Sequence, residues 1–171
     1  MSLWRDKFEA YISKSGRILD AGCGSGRDSH AFKQHGYSVV AFDASTEMCR
    51  MASKLIRQKV LLMRFDEMDF EDEFDGVWAC SSLLHVSYED LPKILEKIRS
   101  ALKTTGTLYV SFKYGEGMKK RGDRTFSDFT EKSVTVMLNN SGFEVIECGV
   151  TYDIRPGRAD EERVNAIARK P

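Results

Sequence analysis

Net charge is absent from this 171-residue chain, in which 26 Lys and Arg offset 26 Asp and Glu. Without a surplus of cations to neutralise phosphates, broad affinity for nucleic acid is not expected. Long apolar runs are absent as well. Nothing approaches the roughly 20 residues of a bilayer span, and no charged, apolar, small-residue leader pattern opens the chain. Neither a membrane partner nor secretion is therefore expected. Cysteine is sparse: Cys23, Cys49, Cys80 and Cys148 are scattered, with no C-x-x-C pair. That spacing suggests neither a zinc site nor a disulfide framework, and a reduced cytoplasm is the expected setting. Internal repeats, low-complexity tracts and linkers are missing too. What remains, 42% hydrophobic and 30% charged residues, is ordinary for a globular protein. The expectation is one domain over residues 1–171, with residues 1–15 forming a short amino-terminal helix.

One stretch organises the rest. Arg17-Ile18-Leu19-Asp20-Ala21 is a short apolar run, Gly22-Cys23-Gly24-Ser25-Gly26 alternates glycine, and Ser25-x-x-Asp28 has the spacing that opens a helix. The order is strand, glycine turn, helix. Such a turn lets a ligand approach the backbone closely and tolerates positive φ. The helix behind it offers unpaired N–H groups and a partial positive charge. A dinucleotide turn reads G-x-G-x-x-G and carries a diphosphate. Here the glycines run one residue shorter, and the acidic Asp20 stands two residues before the first.

With Asp20 before Gly22-x-Gly24-x-Gly26, the stretch resembles motif I of class I S-adenosylmethionine (SAM) dependent methyltransferases. The resemblance implies SAM as cofactor, since a carboxylate there suits an ammonium and a sulfonium and not a diphosphate. It extends along nearly the whole chain. Tyr37–Phe42 reads as a second strand with Asp43 at its carboxyl end, 17 residues beyond Gly26, where a ribose-binding acid is expected. Ser45 is placed to cap the following helix. Met48, in its first turn, matches the family's apolar contact to ribose and adenine, although core packing is an alternative. Val60–Met63 is a third strand, and Asp66 after it matches the acid that takes the adenine amino group, with Asp69 as a second choice. Phe74–Cys80 repeats the fourth-strand pattern F-D-x-V. It leads into Ser81-Ser82-Leu83-Leu84-His85, a loop that faces the methyl group in the resembling folds.

Cys80, Ser81 and His85 are accordingly the first substrate-side candidates, Cys80 also bordering the cofactor. His85 is open to two roles, a general base near neutral pH or a structural residue between strand and helix. Leu91, Leu95, Ile98 and Leu102 form a helical stripe after Ser87-x-x-Asp90, and a fifth strand ends at Phe112. Residues Lys113 to Asp128 read as an irregular, glycine-punctuated basic loop, a lid whose Arg121 and Arg124 could contact an anionic acceptor. Asp153, Arg155 and Arg158 form a second basic turn. A hairpin, Phe143–Tyr152 with Arg163–Arg169, closes the chain. Upstream, Trp4, Phe8, Tyr11 and Ile12 share a helix face that is expected to pack on the sheet edge. With only about 16 residues before the first strand, the cofactor site is expected to be more open than usual in the family, or completed by further sequence.

The fold expected is a doubly wound α/β domain with helices on both faces of a seven-stranded sheet, in order 3-2-1-4-5-7-6 with the last strand antiparallel. The activity the resemblance implies is methyl transfer from SAM to a small-molecule acceptor by in-line displacement. Within the family, the R-I-L-D-x-G-C-G-S-G-R-D run, the S-F-K of the fifth strand end and the arginine-bearing end of the chain resemble the tellurite-resistance-type and small-molecule methyltransferases. Turns of the D/N-P-P-Y/F type and a Pro-Cys nucleophile, used on DNA bases, are both lacking. A SAM-binding module without catalysis and an NAD-type oxidoreductase are the alternatives from other classes. No metal site is expected, and the sequence leaves the oligomeric state open.

Overall fold

The structure is a computed structural model, and it describes residues 2–121, 124–152 and 161–171. The Asp153–Arg158 turn lies outside these residues. In chain order the elements are α1 (Ser2–Glu9), β1 (Arg17–Ala21), α2 (Arg27–Gln34), β2 (Ser38–Asp43), α3 (Thr46–Ile56), β3 (Leu61–Leu62), β4 (Phe74–Cys80), α4 (Leu91–Ala101), β5 (Leu102–Lys113), β6 (Gly117–Arg121), β7 (Arg124–Asp128), α5 (Glu131–Asn140), β8 (Glu144–Tyr152) and β9 (Glu162–Arg169).

Seven strands make one sheet in the order β3-β2-β1-β4-β5-β9-β8, and β6 and β7 pair separately. From β3 to β5 all pairings are parallel, whereas β9 runs antiparallel to both β5 and β8. The order expected at this end was 5-7-6. The difference comes from the Lys113–Asp128 segment, which is a two-stranded hairpin and not an irregular loop, so two strands precede the last pair. Gly122-Asp123 between two short runs is a two-residue hairpin signature. It is easily missed because the flanking runs are mostly polar.

Period-two alternation sends successive side chains to opposite faces of the sheet, and each face is covered by its own helices. Ile18, Val39, Ala41, Trp78, Tyr109 and Ile167 pack under α1, α2 and α3. Leu19, Val77, Ala79, Leu108, Val110 and Ala166 pack under α4 and α5. The helical stripe of Leu91, Leu95 and Ile98 is fully buried in the second layer.

Helix α1 departs from the expected edge position. It lies over the middle of the sheet, with the Phe8 ring 5.2 Å from Trp78 and the Trp4 ring 6.2 Å from Tyr109. Gly76 on β4 makes this possible. A Cβ there would stand 2.6 Å from both Phe8 and Ile12.

Candidate active site: a cleft at the carboxyl edge of the sheet

Parallel α/β sheets bind ligands outside the carboxyl ends of their strands, where the order reverses between neighbours. In this sheet the reversal falls between β1 and β4. A cleft of about 1450 Å³ opens there.

The turn after β1 forms one wall. Gly22 and Gly24 take φ of 75° and 55°, values that L side chains rarely adopt. Gly24 has open space where a Cβ would be, and both residues line the cleft. Gly26, at φ 85°, lies off that wall. A Cβ there would stand 2.9 Å from the Cα of Ala52, so this glycine sets how closely α2 packs on α3.

Helix α2 begins differently from the Ser25-x-x-Asp28 expectation. Gly26 is the N-cap and no side chain caps the helix. Asp28 turns inward instead, where it accepts from the indole Nε1 of Trp78 at 3.1 Å and from Arg27 Nε and Nη2 at 3.0 and 2.9 Å. A buried carboxylate takes charged and indole donors in preference to backbone N–H groups that solvent can satisfy.

Asp20 is buried near the end of β1, where its carboxylate accepts from Ser29 Oγ at 2.5 Å. Burial pushes its carboxyl up to about 7, with Asp28 adding to the rise and Ser29 opposing it. A carboxyl in that state gains strongly from a cationic ligand. Asp43, at the end of β2, accepts from Gly24 N and Ser45 N, each at 2.9 Å and each at a different oxygen. It thereby clamps the glycine turn to the start of α3, and since a carboxylate has about four acceptor sites, positions remain for a ligand. Ser45 caps α3 by accepting from Met48 N at 3.3 Å.

The other sequence-predicted residues are distributed around the same cleft, which Met48, Asp66, Cys80, Ser81 and His85 all line. Asp66 is exposed, and the hydrogen bond from Arg64 Nε at 2.9 Å holds its carboxyl below the usual range. Burial pushes the Cys80 thiol up to about 11 and raises Cys23 as well, so neither is set up as a thiolate nucleophile. His85 is exposed, with its ring 4.8 Å from that of Phe126 and its Nδ1 3.5 Å from the carbonyl of Thr125, both on β7. The hairpin therefore rests on the His85 turn. Arg121 and Arg124 pair across that hairpin as backbone partners, and their side chains lie outside what the structure describes.

Sequence reasoning missed Arg27, Ser82, Lys93 and Thr125 among the lining residues. Lys93, on a helix whose apolar stripe was plain, gave no signal of its own. Thr125 could have been found from the Gly122-Asp123 hairpin signature. No group of three or more His, Cys, Asp or Glu among the described residues could hold a metal ion.

Comparison with known proteins agrees with this geometry. Residues 18–106 match the family described as "Methyltransferase domain". YqeM of Bacillus subtilis, a protein named for methyltransferase activity, is 28% identical over 162 residues, covering 88% of this chain and 64% of its own length. The chain thus spans somewhat less than two thirds of that relative. Among solved structures, a SAM-dependent methyltransferase of Methanosarcina mazei superposes with a TM-score of 0.85 at 20% identity, covering 96% of each chain. The 1,6-didemethyltoxoflavin-N1-methyltransferase of Burkholderia thailandensis, solved with its acceptor and S-adenosylhomocysteine (SAH), gives a TM-score of 0.83 at 24% identity. That alignment covers 96% of this chain and 75% of the other. These two structural likenesses establish the shared fold.

Proposed function

Since the chain belongs to the methyltransferase-domain family, we propose that it binds SAM in the cleft at the carboxyl edge of its sheet and transfers the methyl group to a small-molecule acceptor. The observation that carries this reading is the joint placement of Asp20, Gly22, Gly24 and Asp43 on one wall of the cleft. The donor set fits the group. Asp43 retains acceptor sites for a ribose diol, Asp20 is a buried carboxyl that accepts from the neutral Ser29 hydroxyl, and Gly24 leaves the backbone bare. We assign Met48 and Asp66 to the nucleoside end, Cys80 to the cofactor border and Gly26 to the geometry of the turn.

When bound, SAM supplies an electrophilic methyl carbon, displaced in line from its sulfur by the acceptor. The protein's own contribution is alignment and exclusion of water. Asp20 orients a cationic tail, Asp43 fixes the sugar, and Ser81 and His85 face the acceptor from the end of β4, with Arg121 and Arg124 as anion contacts on the hairpin. An acceptor with an available lone pair needs no base, and His85 serves one that must lose a proton. One domain over residues 1–171 acting in a reduced cytoplasm completes the reading.

Calorimetric titration with SAM, SAH and NADH tests it. The expected result is micromolar binding of both adenosyl ligands and none of NADH. Asp43→Ala should weaken SAH binding by about 1.5–3 kcal/mol, the scale of charge-assisted hydrogen bonds. NADH binding, or an Asp43→Ala variant with wild-type affinity, would refute the assignment.

A further inference from the structure

Among the polar groups of the cleft without a role in the assignments above, one is set apart by its burial. Ser82, just past β4, lines the cleft, yet its Oγ is buried without a hydrogen-bond partner among the described residues. A buried hydroxyl left unpaired loses its hydration without compensation, so native structures rarely keep one without a use for it.

The backbone before it is held in an unusual state. Ser81 has φ 53°, the left-handed region, although it is not glycine. Such a conformation persists only where the surroundings over-determine it. Here Ser81 N donates to Ser111 Oγ at 2.9 Å, and Arg163 Nη1 donates to Ser81 Oγ at 2.6 Å. Groups from β5 and β9 thus reach across to hold the residue after β4. Ser81 Oγ is already engaged by this arrangement, and Ser82 Oγ is not.

The kink brings Ser82 against the glycine turn. A Cβ on Gly22 would stand 2.5 Å from Ser82 Cβ and 3.2 Å from its Oγ, with Phe65 Cζ at 3.6 Å. The absent side chain at Gly22 is what makes room for Ser82. The hydroxyl therefore lies beside the turn that approaches the cofactor, and Phe65 of the same cleft approaches that turn as well.

We propose that Ser82 is a ligand-binding residue whose hydroxyl hydrogen-bonds the adenosyl cofactor, with Ser111 and Arg163 as the positioning residues that hold the kink. The assignment requires Oγ to face the cleft in one of the staggered wells about Cα–Cβ. The inference rests on the cofactor reading above and adds a contact that the family motif does not specify.

Ser82→Ala separates a binding role from a structural one, because the two predict opposite signs. Wild type and variant are titrated with SAH by calorimetry, and both are melted without ligand. The expected result is SAH binding about five- to tenfold weaker, the loss of one net hydrogen bond, with an apo melting temperature held or raised. Wild-type affinity in the variant would overturn the Ser82 assignment and leave the cofactor reading intact. A weaker affinity with a lowered apo melting temperature would also overturn it, since the hydroxyl would then be structural. Failure of the wild type itself to bind SAH would remove the cofactor reading and this inference together.

Discussion

Asp20, proposed to orient the cofactor's cationic end, ties both folding and binding to pH. Its carboxyl is raised from near 4 to about 7 chiefly by burial, so folding takes up a proton. The stability this proton supplies is full below the unfolded pKa and is lost as pH rises to about 7. The loss is on the order of 4 kcal/mol at most. A ligand ammonium reverses the preference by favouring the carboxylate, so SAH affinity should rise from pH 5 and level off above about 7. Asp20→Asn should flatten both profiles, as read by urea denaturation and calorimetry across that range. An equal slope in the variant would assign the titration to another group. Neighbouring Asp28 shows how local pattern and final role can part, since the residue placed to open α2 serves the indole of Trp78 instead, 50 positions away.

At the scale of elements, the unit from β1 through α2 is where local rules and packing meet. Gly26 and Gly36 both have φ near +90°, but a Cβ on Gly26 meets Ala52 at 2.9 Å and one on Gly36 meets nothing within 4 Å. The two positions therefore separate backbone strain from overpacking. Gly36→Ala should cost about 1–2 kcal/mol, the left-handed penalty alone. Gly26→Ala should cost about 2–4 kcal/mol, because α2 and α3 must also separate. Urea midpoints with equal m-values would measure the difference, and equal costs at both sites would show that α3 yields without resistance. The β6–β7 hairpin is the element least visible beforehand, since its strands are short and mostly polar and hydrophobic alternation is the signal that identifies strands.

Across the whole molecule, α1 ties the amino terminus to the centre of the sheet. Phe8 is fully buried against Phe32 and Trp78, and the Trp78 ring stacks on Tyr109 at 3.8 Å. That stack is linked to the cleft through the Trp78–Asp28 hydrogen bond. Phe8→Ala should destabilise the fold by about 3–5 kcal/mol, the cost of removing a buried aromatic ring. Denaturation monitored by tryptophan fluorescence would measure it. A cost below about 1 kcal/mol would mean that α1 only decorates the sheet.

By itself the sequence determined the strand, glycine turn and helix, the acids at the ends of β1 and β2, the helical stripe of α4 and the closing hairpin of β8 and β9. These are legible because they rest on φ limits, side-chain periodicity and turn chemistry, all of which act between residues near one another in the chain. Only the tertiary structure decided that Trp78 takes Asp28, that Gly26 serves the contact with Ala52, that a hairpin covers the His85 turn and that Ser82 Oγ is buried beside Gly22 with no partner among the described residues. Each of these joins residues brought together by packing. Close packing is satisfied by the chain as a whole, so no local pattern can announce which distant side chain will fill a given space.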